Sequence, residues 1–185
     1  MTSHKNFVTI AKGDDVMKTK DMVLAALFIA LVYIATAFLR IPSPFAMGEG
    51  QLHTGTAIVF IVSVVYGPKM GALSTLGMVL FNLTHGLAPW APINLVVRPV
   101  MAFLFGYIAY LGDARGEKWW LNTIAAIIGG TWMVAGMYFG QLLVFQLPWA
   151  VPVTAIPLNV LQVVFAIAVG VPLIAIMKRH KAKLR

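Results

Sequence analysis

The sequence predicts an all-α, polytopic membrane protein with six transmembrane helices and both termini in the cytoplasm. Three observations predict it. Sixty percent of the 185 residues are hydrophobic and only 11% are charged, with a mean hydropathy of +0.86, so several segments must be solvated by lipid. The apolar runs are long and uniform, without the alternating dyads of an outer-membrane barrel, so the spanning elements are helices. The basic residues that give a net charge of +8 gather at the ends of these runs, where they set orientation and meet anionic headgroups rather than nucleic acid.

Residues 1–21 are polar and of mixed charge and read as a cytoplasmic tail. The run from Met22 to Leu39 has no small-residue cleavage site before Arg40, so it is expected to remain as the first span rather than leave as a signal peptide. Ala26 and Ala30 lie four apart on it, a spacing that smooths one helix face for close contact in lipid, although alanine is also simply common in such helices. Arg40 to His53 holds Pro42, Pro44, Gly48 and Gly50 and reads as a loop with stiff corners that carries Glu49.

The next two helices, about Thr54 to Tyr66 and Met70 to His85, are short for full spans and are joined by the tight turn Gly67-Pro68-Lys69. A fourth runs from about Ile93 to Leu111, followed by a hydrophilic loop and the interfacial pair Trp119-Trp120. A fifth covers about Leu121 to Phe145 and contains the small-residue pairs Ala126/Gly130 and Gly136/Gly140. After a proline-rich loop the sixth extends from Pro157 to Met177. The membrane domain is thus 22–177, and 178–185 form a basic cytoplasmic tail. Twelve of the fourteen lysines and arginines fall on the side that holds both termini, Arg40 falls opposite, and Arg98 lies at membrane depth. That asymmetry places the termini inside.

With this orientation eight polar residues collect in the outer half: Asn82, His85, Asn94, Arg98, Gln141, Gln146, Asn159 and Gln162. Asn94 and Arg98 share a helix face at i, i+4, as do Asn159 and Gln162 at i, i+3. Trp90, Trp149 and Tyr138 add aromatic surface at similar depth, and Glu49 and His53 flank the cup from the first loop. The inner halves carry little beyond Ser74 and Thr75. The pattern describes an outward-facing cup, closed below, that binds a polar solute. Each part also has a plainer reading. Arg98 is near enough to its helix start to snorkel, His85 and Gln146 can be loop residues, the tryptophans can be interface anchors, and Asn159 and Gln162 can bridge helices.

Catalysis has little support. The sequence has no HExxH, no GxSxG, no paired intramembrane carboxylates and no cluster with metal-ligand spacing, so neither a metal nor a cofactor is expected. The absence of cysteine removes thiolate sites and disulfides. There is no GxxxxGK[ST] loop to bind ATP, so energy for accumulating a solute must come from a partner.

The runs LHTGTAIVFIVSVVYGPKMGAL and GLAPWAPINLVVRPVMAFLFGYIA resemble the core of the S components of energy-coupling factor (ECF) vitamin transporters, most of all the hydroxymethylpyrimidine-type group. The resemblance covers most of residues 22–111. Arg98 stands where those relatives often carry lysine, and Pro99 where they often carry glycine. The resemblance implies a non-enzymatic, substrate-capturing subunit of an ECF-type ABC importer, in the cell membrane of a bacterium or archaeon. Such a subunit binds a vitamin near the outer face and topples to deliver it, attached to a transmembrane coupling subunit and two cytoplasmic ATPases that consume the ATP. It further implies that Ala26 and Ala30 dock the coupling subunit. Hydroxymethylpyrimidine or pyridoxine is the favoured substrate, with pantothenate an alternative because Arg98 would suit its carboxylate. A membrane scaffold whose polar residues only bridge helices is the alternative from another class.

Overall fold

Lipid solvates the outside of this chain, so helices with little buried surface are stable in it, and α1 is of that kind. The computed structural model describes residues 17–42 and 51–183. Helix α1, Thr19–Phe38, buries only Ala25, Val32, Ala35 and Thr36 and turns Leu27, Leu31 and Ile34 outward. Its 20 residues reach about 30 Å, the thickness of a hydrocarbon core. Two three-residue strands follow, β1 (Arg40–Pro42) and β2 (Gln51–His53), paired antiparallel with Arg40 opposite His53. They differ from the plain loop expected here: the stiff Ile41-Pro42 segment is already extended and needs only one partner to become a ladder. Glu49 lies outside the described residues.

Helix α2, Gly55–Tyr66, is the opposite of α1. Nine of its 12 residues are buried, because it sits inside the bundle against α5 and α8. It ends at Gly67, whose φ of 100° a side chain would strain, and Pro68 begins α3 (Pro68–Ser74) where its missing N–H costs nothing. The single helix expected from Met70 to His85 is broken at Thr75, after which α4 runs Leu76–Thr84. The cause is local: Ser74 and Thr75 donate their hydroxyls back to the carbonyls of Gly71 and Ala72 at 2.7 and 2.6 Å, in competition with the helix ladder. Just past the break Gly77 lets α4 meet the backbone of α1 at Ile29 and Tyr33, where a Cβ would collide.

Helix α5 (Ala91–Ala109) starts with Pro92 in its first turn and carries Pro99 inside, which removes the donor for the Leu95 carbonyl. It packs along α6 (Trp119–Phe145). A short α7 (Ala150–Val153) interrupts the next loop, and α8 (Ile156–Lys183) continues as helix into what the sequence suggests is a basic tail. Among the described residues, four segments are long and apolar enough to cross a bilayer: 19–38, 88–109, 119–145 and 150–179.

The contacts sort the helix ends into two groups. At one end Tyr33 meets Thr84 and His85, Trp90 meets Phe145 at 4.8 Å, and β2 meets α8. At the other, Gly116 packs on Val64, Gly106 on Pro68, and Lys178 donates to the Arg115 carbonyl at 2.6 Å. The long segments therefore alternate in direction. Between the two ends lies a dry core in which Phe60 and Phe105 cross edge to face at 5.1 Å beside Met78, Met101 and Met133.

Candidate functional site

The polar residues converge most closely around Arg98. One helical turn separates it from Asn94, so both project from the same side of α5 into the bundle, with 2% and 0% of their surface exposed. The Arg98 Nε donates to the Asn94 Oδ1 at 3.0 Å, and its Nη1 donates to the Thr56 hydroxyl of α2 at 3.0 Å and lies 3.0 Å from the Met133 sulfur of α6. Asn94 in turn donates to the Trp90 carbonyl at 3.3 Å. This rules out a snorkelling arginine: the guanidinium points into the protein.

Gln162 of α8 reaches the same layer. Its Nε2 donates to the Thr56 hydroxyl and lies 3.1 Å from the His53 Nε2. The Thr56 oxygen thus receives both the arginine and the glutamine, which uses its two lone pairs. Burial, and then the nearby Arg98 charge, push the His53 imidazole down to about 3, so it is neutral and can accept from Gln162. The layer joins β2, α2, α5, α6 and α8 and is inaccessible to water. In such surroundings a charge-assisted hydrogen bond contributes roughly 1.5 to 3 kcal/mol, against about 1 in a typical neutral pair.

The remaining expected site residues are placed less uniformly. Gln141 is buried on α6, where its amide turns back to the Met137 carbonyl at 3.1 Å. Asn82 is fully buried on α4. Trp90 is buried against Phe145, whereas Trp149 is 73% exposed. His85 is exposed, stacks on Phe81 at 4.3 Å and meets the Thr84 hydroxyl at 3.0 Å, in an aromatic cluster with Tyr33 at the end of α1. Tyr138 faces the groove between α6 and α8 and donates to the Trp149 carbonyl at 3.3 Å. Asn159 is half-buried, three residues before Gln162. The structure thus gathers His53, Asn94, Arg98 and Gln162 in one layer, while His85 joins the α1 cluster and Tyr138 the α6/α8 groove. Thr56 and Met133 belong to the layer and were not expected from the sequence. The only sequence signal for Thr56 is the polar run His53-Thr54-Gly55-Thr56 at the head of an otherwise apolar helix.

Residues 16–179 match the family model described as the ECF-type riboflavin transporter, S component. The chain belongs to this family. Its fold is also similar to that of a solved protein described as the S component of a bacterial ECF transporter, with a TM-score of 0.60 over 91% of this chain and 98% of the other, at 16% sequence identity. A search of curated proteins finds no match. As an ECF S component the chain is a membrane-embedded, substrate-binding transporter subunit rather than an enzyme. Other features of this S component gain meaning from that. Ala26 and Ala30 both lie on the exposed face of α1, so the small-residue stripe is open to a neighbour in the membrane.

Proposed function

We propose that this S component captures a small heteroaromatic vitamin or vitamin precursor at the outer face of the cell membrane, in a bacterium or archaeon, through the layer centred on Arg98. It passes the vitamin inward together with a transmembrane coupling subunit, docked on Ala26 and Ala30, and two cytoplasmic ATPases. The chain crosses the bilayer six times with both termini inside, so the Arg98 layer belongs to the outer half. The observation that carries this reading is the arginine itself. An intramembrane guanidinium costs about 2.5 to 3.5 kcal/mol to insert and is placed at depth where it serves a solute, and here it is turned fully inward and held by Asn94 and Thr56.

Three chemistries compete for the ligand. The sequence resemblance favours hydroxymethylpyrimidine or pyridoxine, the matched family is described by riboflavin, and pantothenate offers Arg98 a carboxylate. A second reading, a scaffold that binds no solute, is favoured by the way the layer closes on itself through the bonds among Arg98, Thr56, Gln162 and His53. Dissociation constants of purified wild type and Arg98→Ala for the four vitamins decide between them. The expected result is that at least one vitamin binds and that the variant binds it about ten- to hundredfold more weakly, the equivalent of one charge-assisted hydrogen bond. If none binds the wild-type protein, the scaffold stands. Equal affinity in both proteins removes Arg98 from the site.

A further inference from the structure

The groups around Arg98 are matched to one another, and Asn82 is not. Its side chain is fully buried on α4, yet neither the amide nitrogen nor the amide oxygen has a hydrogen-bond partner among the described residues. Its backbone is satisfied, since its carbonyl accepts from the Leu87 N–H at 3.0 Å, so the shortfall belongs to the side chain. A carboxamide with both halves orphaned is rare in a folded interior, because each half gives up its bonds to water and receives nothing. Met78 stands one turn earlier on the same face of α4, and its Cε lies beside Gly55, where the His53 ring and the Thr36 hydroxyl also meet. Met78 thus brings that face of α4 to the junction of β2 and α2, from which His53 and Thr56 enter the polar layer, and Asn82 lies one turn further along it.

We propose that the Asn82 carboxamide reads the edge of the transported ligand, and that this edge carries a hydrogen-bond donor beside an acceptor in a ring. A carboxamide presents one donor and one acceptor side by side, so a cyclic amide, an imide or an aminopyrimidine satisfies both through two parallel bonds. It is the same match by which asparagine reads the amino group and ring nitrogen of adenine. A carboxylate offers acceptors alone, and an open-chain trans amide points its N–H and C=O in opposite directions, so neither can pair in this way. The inference rests on the reading of the Arg98 layer as a vitamin site and narrows what that site accepts.

The test uses the full-length protein and four probes: riboflavin and hydroxymethylpyrimidine, which carry such an edge, and pyridoxine and pantothenate, which do not. Asn82→Leu keeps the branched, four-heavy-atom shape of the side chain and removes the unmatched amide, and Asn82→Ala guards against a leucine that is too large to fit. In the ligand-free state Asn82→Leu is expected to melt above the wild type, since an unpaired buried polar group has been removed. Both variants are expected to bind the edge-bearing probe at least tenfold more weakly. A structural asparagine gives the opposite pattern, a lower melting temperature and unchanged affinity, and that result overturns the proposal. Wild-type binding confined to pyridoxine or pantothenate overturns it too, as does binding of no probe. Arg98→Ala is measured alongside: if it binds normally while the Asn82 variants fail, Arg98 leaves the site and Asn82 stays, and the reverse pattern removes Asn82 alone.

Discussion

Arg98 of α5 and Thr56 of α2 are joined across 3.0 Å by a hydrogen bond from guanidinium to hydroxyl, 42 positions apart in the chain. Because Gln162 donates to the same oxygen, Thr56 fixes the relative position of three helices at the level of the polar layer. Thr56→Val keeps the shape and removes the acceptor, which leaves two buried donors short of a partner. Each such loss costs about 1 to 3 kcal/mol. The variant is expected to melt lower and to bind vitamin at least tenfold more weakly, while Thr56→Ser retains both properties. Thermal melts in detergent with paired binding isotherms check this, and a Thr56→Val protein that behaves as wild type removes Thr56 from the layer's support.

His53 gives the site a defined response to acid. Its pKa is near 3 in the folded protein and 6.5 when free, so the unfolded chain takes up the proton more readily in the interval between. Stability from this group is therefore complete above about pH 6.5 and falls as the pH drops towards 3, by about 2 kcal/mol at pH 5. Melting temperatures from pH 8 to 5 should stay level at first and then decline more steeply in wild type than in His53→Gln. Parallel curves for the two proteins would show that His53 titrates like an exposed histidine.

Orientation can be read with impermeant thiol reagents on whole cells, as the chain has no cysteine of its own. Ala88 and Glu117 are both exposed, one beside the turn before α5 and the other beside the start of α6. Ala88→Cys is expected to react from outside and Glu117→Cys to react only after the membrane is opened. The reversed result would put the Arg98 layer on the cytoplasmic side.

Docking can be separated from capture. Ala26→Trp and Ala30→Trp each raise a bulky ring on the exposed stripe of α1, on the other side of the helix from buried Ala25 and Val32. Close helix approach is then blocked. Vitamin binding by the isolated subunit should be unchanged, while uptake and co-purification with the coupling subunit should fall. Full uptake in both variants would move the docking surface elsewhere.

Much of this was legible in the sequence, and the exceptions have physical causes. Length and hydropathy reveal α1, α5, α6 and α8 because lipid demands long apolar helices. The i, i+4 spacing brings Asn94 and Arg98 together correctly, since both belong to one helix. Thr56 escapes notice because a hydroxyl in an apolar helix usually bonds to its own backbone, as Ser63 and Thr36 do here, and nothing in its spacing tells of a partner on α5. The same habit, in the consecutive Ser74 and Thr75, breaks a helix that its composition describes as continuous. Asn82 and His85 look alike in sequence, three residues apart at a helix end, yet one is buried and the other exposed. Only the packing of α4 on its neighbours distinguishes them.

Helix α8 carries Gln162 near one face of the bundle and Lys178 at the other, on the Arg115 carbonyl. The 16 positions from one to the other rise about 24 Å along continuous helix. It acts as a strut pinned at both ends. An internal motion that pulled the two faces apart, or slid one past the other, would have to tear one of these pins loose or break the helix near Pro172. Rotating the whole subunit against the surrounding lipid disturbs neither. A movement of the whole subunit would therefore carry the Gln162 and Lys178 ends of α8 together.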